Sequence, residues 1–174
     1  DFLQAINSYI LNYQSLMKLE HEYDDAFAYY EDRKKYGIQS LFSDIDGKLI
    51  FTKSEEEKRI CTILTKWGVK FRYELDYQFD TKTPERRQYK PDFSIYFNDC
   101  NGKSNRIYLE HFAIDADGCV PMWFGDGCKG GWGAANKKYN DGISWKRNLH
   151  RSNGTILIET TSAQFHDGTI ESVF

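Results

Sequence analysis

Two acidic residues, Asp92 and Glu110, offer the clearest chemistry in this sequence. Asp92 follows Pro91 and opens the apolar and aromatic run 93–97, and Glu110 lies inside a second apolar run, 107–113. The alternation in both runs is typical of strands, with the turn of a hairpin near Asn101. In such a hairpin the residue that faces Asp92 is Glu110 or its immediate neighbour, so the two carboxylates are predicted to converge.

A divalent cation would offset the cost of burying these two charges together, since an unpaired carboxylate in apolar surroundings is strongly unfavourable. Hard oxygen ligands favour Mg²⁺ or Mn²⁺. The alternative is a structural pair that arginine or backbone donors satisfy. A third acid, Glu57, shares a helical stripe with Ile60 and Leu64 and could face the sheet. Ser54-x-x-Glu57 also fits a capping box, in which Glu57 bonds to the Ser54 amide instead.

Hydrophobic periodicity predicts the helices and strands around these acids. Residues 2–19 and 20–35 have helical spacing, which predicts a helical hairpin as a first domain over 1–43, acting as a scaffold or as a tether to the rest of a larger protein. From residue 44 onward we expect a second domain, an α/β fold with a mixed sheet, because strands run consecutively before a helix crosses over. Its predicted elements are a strand at 48–52, a helix ending at Gly68, strands at 69–79, 92–97 and 106–113, a Gly-rich stretch at 115–133, a helix at 135–151 and a strand at 155–160.

Basic residues cluster on the two segments that flank the acids, and such clusters bind phosphates without sequence preference. The formal net charge of −3 argues against nucleic-acid binding through bulk charge, so DNA binding would depend on these local clusters. Aromatic residues of the Gly-rich stretch could stack on unpaired bases or, more commonly, anchor the loop to the core. The basic set comprises Lys82, Arg86, Arg87 and Lys90 in the first segment and Lys137, Lys138, Lys146, Arg147, His150 and Arg151 in the second, and the aromatic set comprises Trp123, Phe124 and Trp132.

Five short strings, in order, resemble the nuclease-like domain of certain bacterial UvrD/Rep-type (superfamily I) DNA helicases, within the PD-(D/E)XK nuclease superfamily. The resemblance covers about residues 50–162 and implies a restriction-endonuclease-like α-β-β-β-α-β core over 44–174, DNA as partner and helicase motor domains in the same polypeptide. It also implies that Asp92, Glu110 and the backbone carbonyl of His111, with help from Glu57, hold Mg²⁺ or Mn²⁺ for phosphodiester hydrolysis. The strings are Lys53-Ser54-x-x-Glu57, Tyr89-Lys90-Pro91-Asp92-Phe93, Tyr108-Leu109-Glu110-His111-Phe112, Trp145-Lys146-Arg147-x-Leu149-His150 and Leu157-Ile158-Glu159-Thr160-Thr161-Ser162.

The sequence departs from the family pattern at Phe112, where the family has a lysine two residues after the second acid. Lys146 is our candidate replacement, because Tyr139, Lys146 and His150 share one stripe of the helix that should pack over the sheet. Lys90 is the second candidate. Phosphate contact without catalysis is the alternative role for Lys146 and His150, and a catalytically inactive DNA-binding or regulatory module is the alternative function of the domain.

Several function classes are not expected. No apolar stretch approaches the length that crosses a bilayer and no secretory leader opens the chain, so we expect a soluble, cytoplasmic protein with no membrane partner. Gly102-Lys103-Ser104 lacks the earlier glycine of a phosphate-binding loop, so no ATP site is expected within this chain. The first residue, Asp1, leads us to expect a piece of a longer polypeptide.

Overall fold

The computed structural model describes residues 37–173, and the helical hairpin predicted within residues 2–35 lies outside that range. The described chain is α/β, with a mixed sheet and a separate antiparallel strand pair, which confirms the predicted class. It divides into two compact units, the first ending at Tyr73 and the second beginning at Glu74.

The first unit contains an antiparallel pair of strands, of which the periodicity predicted one. Strand β1 (Ile38–Ser43) pairs with β2 (Leu49–Thr52), and the connecting turn is closed by the Asp44 carboxylate, which accepts hydrogen bonds from the backbone amides of Asp46 and Lys48. Only β2 was predicted. The domain boundary predicted between residues 43 and 44 therefore separates two paired strands.

Helix α1 (Glu55–Lys66) follows, and strand β3 (Lys70–Tyr73) ends this unit. The helix begins where the Ser54 side chain accepts a hydrogen bond from the backbone amide of Glu57. Three acidic side chains in the first turn interact favourably with the positive end of the helix dipole. The predicted strand over 69–79 is shorter than expected. It stops because Glu74 has φ of 47°, which no extended strand accommodates.

The second unit is organised around a hairpin. Strands β4 (Phe93–Asn98) and β5 (Ser104–Phe112) pair antiparallel, with Phe93 opposite Leu109. The Asp99 carboxylate closes the turn by accepting backbone hydrogen bonds at 2.9 Å from both Asn101 and Lys103. The hairpin and its turn lie where the alternation predicted them.

A long helix then crosses over the sheet. Helix α2 (Gly131–Ser152) leads to strand β6 (Leu157–Thr161), which pairs in parallel with β5, and the short helix α3 (Ser162–His166) follows. The antiparallel and parallel pairings together make the sheet mixed, as predicted. Within residues 37–173, no helix combines the length and the apolar character needed to span a membrane.

Two buried clusters support the site. Each combines a residue of β5 with residues of α2, so both lie between the sheet and that helix. The first consists of Phe112, Ile114, Val120 and Ile143, with Phe124, Trp132 and Tyr139 packed against it, and the second consists of Tyr77, Tyr89 and Tyr108, with Trp145, Leu149 and Leu157.

Candidate active site

Asp92 and Glu110 are brought together by the β4–β5 hairpin. The register places Phe93 opposite Leu109, and one further step places Asp92 opposite Glu110. Asp92 Oδ2 accepts a hydrogen bond of 2.8 Å from the backbone amide of His111, which ties the start of β4 to β5. Asp92 is half-buried, and the Glu110 side chain is completely buried. Both carboxylates are close enough to Lys146 to act on its charge, as the predicted convergence requires.

Lys146 reaches this acid pair from α2. Its Nζ forms an ion pair with Glu110 Oε2. Burial acts to lower the pKa of Lys146, but the nearby Glu110 and Asp92 carboxylates outweigh burial and hold that pKa above its ordinary value. The side chain is therefore a fixed ammonium at neutral pH. It can stabilise a negatively charged oxygen, and it is not a base that accepts a proton.

The Lys146 ammonium also lies against Phe112, two residues after Glu110 on β5. Its Nζ is 5.4 Å from the centre of the Phe112 ring and 5.8 Å from that of Tyr89. Both rings are within the range in which an aromatic face attracts a cation. Helix α2 thus places an ammonium beside Phe112 and Tyr89.

The second oxygen of Glu110 is held by a chain of hydrogen bonds. The Tyr89 hydroxyl donates to Glu110 Oε1 at 2.6 Å, and its oxygen lies 3.1 Å from His150 Nε2. His150 Nδ1 lies 2.8 Å from Thr155 Oγ1, which in turn lies 2.6 Å from the Tyr77 hydroxyl. Tyr89 has one proton and gives it to Glu110, so Nε2 must donate to Tyr89 and Nδ1 must accept from Thr155.

This chain holds one oxygen of the Glu110 carboxylate while Lys146 holds the other. Burial and the nearby Glu110 charge raise the pKa of Tyr89 well above its ordinary value, so its hydroxyl remains a donor. Sequence reasoning assigned no chemistry to Tyr89, Thr155 or Tyr77. Only the position of Tyr89 could have indicated its role, since Tyr89 lies three residues before Asp92 in one of the five strings quoted above.

His150 corrects one prediction. It was expected among the residues that contact DNA, but only 2% of its surface is exposed and both ring nitrogens are engaged. Burial, reinforced by the charge of Lys146, lowers the pKa of His150 to about 4. The imidazole is therefore neutral and internal at pH 7, because the helix stripe that carries it faces the sheet.

This burial predicts a specific loss of stability in acid. As pH falls below about 6.5, the unfolded chain protonates His150 while the folded chain does not until about pH 4, so the free energy of unfolding should fall by about 3 kcal/mol across that window. Urea unfolding of the wild-type protein and of His150→Gln between pH 7 and pH 4 measures this effect. The variant should lack that share of the pH dependence. Identical pH dependence in both proteins would contradict it.

Glu57 belongs to the first unit and is buried there. Its Oε2 accepts hydrogen bonds from the Tyr73 hydroxyl at 2.5 Å and from the backbone amide of Lys53 at 3.0 Å. Its own backbone amide donates to Ser54. These contacts correspond closely to the capping alternative, with Lys53 in place of the Ser54 amide as the donor. A role for Glu57 at the metal remains a prediction.

The donor set fits Mg²⁺ or Mn²⁺ in kind. The His111 ring is turned away, with Nδ1 3.0 Å from Thr160 Oγ1, so the backbone carbonyl is the group that His111 could offer. Within residues 37–173, no group of three or more histidine, cysteine, aspartate or glutamate side chains is arranged to hold a metal ion. A cation at this site would have as ligands the Asp92 and Glu110 carboxylates, the His111 carbonyl, and oxygens of water or substrate, which are the hard ligands that both ions prefer.

Three of the basic residues predicted to contact DNA have acidic partners. Lys90 lies 3.4 Å from Asp76, Lys137 lies 2.7 Å from Asp141, and Arg147 forms a bidentate pair with Glu159. These pairs lie at partly or fully exposed positions, where ion pairs contribute little stability and phosphate can compete.

The remaining basic residues keep their charge available. The Arg86 guanidinium stacks 3.9 Å above the Trp145 ring, and Arg151 donates to the neutral Asn148 side chain. Arg87 and Lys138 are exposed and have no ion pair within the described part of the chain. Unpaired cations such as these are suited to phosphate contact.

The second unit thus assembles a carboxylate pair, an ammonium fixed beside it, and a hydrogen-bond chain that orients the buried acid. Such an arrangement can bind a hard cation and an anionic oxygen at adjacent positions. Compared with known proteins, the chain matches no family model, no curated protein and no solved structure.

Proposed function

We propose that the protein hydrolyses DNA phosphodiester bonds with the help of a divalent metal, as the nuclease-like domain of a larger DNA helicase. The observation that supports this most directly is the placement of Lys146. Its ammonium comes from a different element than the family pattern uses, yet it pairs with Glu110 beside Asp92. The order of elements from α1 to β6, with the hairpin followed by the helical crossover, supports a restriction-endonuclease-like arrangement as part of the proposal.

In this proposal each side chain has a defined task. Bound Mg²⁺ or Mn²⁺ supplies Lewis acidity and lowers the pKa of a water molecule. Asp92, held by the His111 amide, and Glu110, held by Tyr89, present oxygen ligands in a fixed orientation. Lys146 stabilises the negative charge that develops on the phosphate oxygens, which a preformed ammonium in a partly buried site does effectively.

One observation favours the alternative, a catalytically inactive DNA-binding or regulatory module. Both Glu110 oxygens already have partners, Tyr89 and Lys146, and the side chain is completely buried. A carboxylate satisfied in this way can serve the fold alone. In that case the protein would bind DNA through its basic residues without a metal and without cleavage.

A cleavage assay across metals separates these two functions. Single-stranded DNA and nicked duplex DNA are incubated with the protein and Mg²⁺, Mn²⁺ or EDTA, and products are resolved by denaturing electrophoresis. The proposal predicts products with Mg²⁺ or Mn²⁺ and none with EDTA. DNA binding that persists in EDTA, together with no cleavage under either metal, would establish the inactive module instead.

A further inference from the structure

A cavity of about 420 Å³ lies beside Lys146 in the second unit. Three aromatic side chains line it: Phe112, Phe124 and Tyr139. Two lysines, Lys138 and Lys146, are the charged residues of its wall. We call this cavity the ring pocket. Its volume is within the range of pockets that hold small organic groups.

The lining of the ring pocket selects for one kind of ligand chemistry. Aromatic walls favour a flat ring that can stack, while two ammonium groups favour a negative charge next to that ring. Lys138 has no ion pair within the described part of the chain, and Lys146 already marks the place where a phosphate would lie in the proposed reaction. A nucleotide combines both properties, with a flat base joined through its sugar to an anionic phosphate.

A second aromatic surface lies at the edge of the ring pocket. Trp123 is 66% exposed, and its ring centre is 4.3 Å from that of Phe124 in the pocket wall. The segment that carries both rings lies close against the start of α2, since a Cβ on Gly125 would come within 2.6 Å of the Trp132 backbone nitrogen. An exposed tryptophan held in this way offers a stacking surface for the neighbouring base.

We propose that the ring pocket takes one unstacked nucleobase of the DNA strand whose phosphate is bound at Lys146. This inference rests on the proposed function and specifies its substrate. A base that is stacked and paired in a duplex cannot enter a pocket of this kind, so the protein acts on single-stranded or frayed DNA. Trp123 stacks on the adjacent base.

Gly142 provides a variant that fills the ring pocket without disturbing the fold. It lies on α2 in the pocket wall, and a Cβ built there meets no atom within 4 Å. Gly142→Leu therefore places its side chain in the cavity. Gly133→Leu is the matched control, because Gly133 lies on the same helix, also has nothing within 4 Å of a built Cβ, and does not line the pocket.

The test uses a single-stranded oligonucleotide containing 2-aminopurine, whose fluorescence falls when it stacks on an aromatic ring. With EDTA present to prevent hydrolysis, the wild-type protein and Gly133→Leu should quench the probe equally. Gly142→Leu should lose the quenching and bind about tenfold more weakly, the order expected for one lost base-stacking contact. With a fully paired duplex that carries the same probe, adding the protein should cause no further fall in fluorescence.

The outcome is independent of whether the protein cleaves DNA. Equal quenching and equal affinity in Gly142→Leu and the wild type would overturn the ring-pocket proposal, as would cleavage by a wild-type protein that never quenches the probe. Quenching that Gly142→Leu abolishes, in a protein that cleaves DNA with neither Mg²⁺ nor Mn²⁺, would support the ring pocket and refute only the hydrolysis.

Discussion

Lys146→Met is expected to lower the single-turnover rate of DNA cleavage by about 10²- to 10³-fold, the cost of removing one preorganised charge from a transition state. Methionine keeps the length and the apolar stem of the side chain but removes the ammonium beside Glu110. The rate is measured with saturating DNA and Mn²⁺, so that a weaker affinity of the variant for DNA or metal does not affect the measured rate. Lys103→Met is the matched control, since Lys103 is an exposed lysine in the β4–β5 turn and its replacement should be nearly neutral.

The same variant also tests stability, because it leaves the Glu110 carboxylate buried without its cation. Removing one partner of a buried ion pair costs about 3–5 kcal/mol, so unfolding must be followed alongside activity. Adding Phe112→Lys to Lys146→Met places an ammonium at position 112 instead. In the wild-type protein the Phe112 ring centre lies 5.4 Å from the Lys146 Nζ, so the new ammonium starts close to the lost one. Partial recovery of both stability and cleavage in this double variant is expected. A folded Lys146→Met protein with wild-type activity would refute the role of Lys146.

Asp92→Asn is expected to lower cleavage by about 10³-fold while leaving the fold intact. The asparagine carbonyl can still accept the hydrogen bond from the His111 amide, which measures 2.8 Å in the wild-type protein, so the loss of stability should be only about 1 kcal/mol. What is removed is the negative charge that a metal requires. Single-turnover cleavage as a function of Mn²⁺ concentration, together with urea unfolding, separates the two effects.

Asp99→Asn is the matched control for this variant. Asp99 lies in the turn of the same hairpin, and its carboxylate also accepts backbone amide hydrogen bonds. The substitution is chemically identical, but Asp99 is in the turn at the other end of β4. Its cleavage rate should equal that of the wild type. Equal cleavage by Asp92→Asn and Asp99→Asn would show that Asp92 has no part in the chemistry.

The acid pair could be predicted from the sequence because its geometry is local. A hairpin with a short turn sets its own register, so Asp92 and Glu110 face each other without reference to the rest of the fold. The helical stripe that carries Lys146 and His150 is likewise a property of one segment. Both features appear in the structure where periodicity placed them.

The hydrogen-bond chain behind Glu110 could not be predicted in the same way. Tyr89 and His150 are 61 residues apart, and Tyr77 and Thr155 are 78 apart, so their contacts depend on how α2 lies across the sheet. Periodicity predicts that His150 faces inward, but it does not predict that Tyr89 and Thr155 lie within hydrogen-bond distance of its ring. For the same reason the sequence suggested a DNA contact where the structure has a buried, neutral imidazole.

We propose that Asp92, Glu110 and Lys146 form a metal-dependent hydrolytic site. The most direct measurement is single-turnover cleavage of end-labelled single-stranded DNA in Mn²⁺, comparing the wild-type protein with Asp92→Asn at matched folded concentrations. We expect products from the wild type that EDTA abolishes and that Asp92→Asn forms about 10³-fold more slowly. DNA bound by the folded wild-type protein but left intact in Mn²⁺ would contradict it.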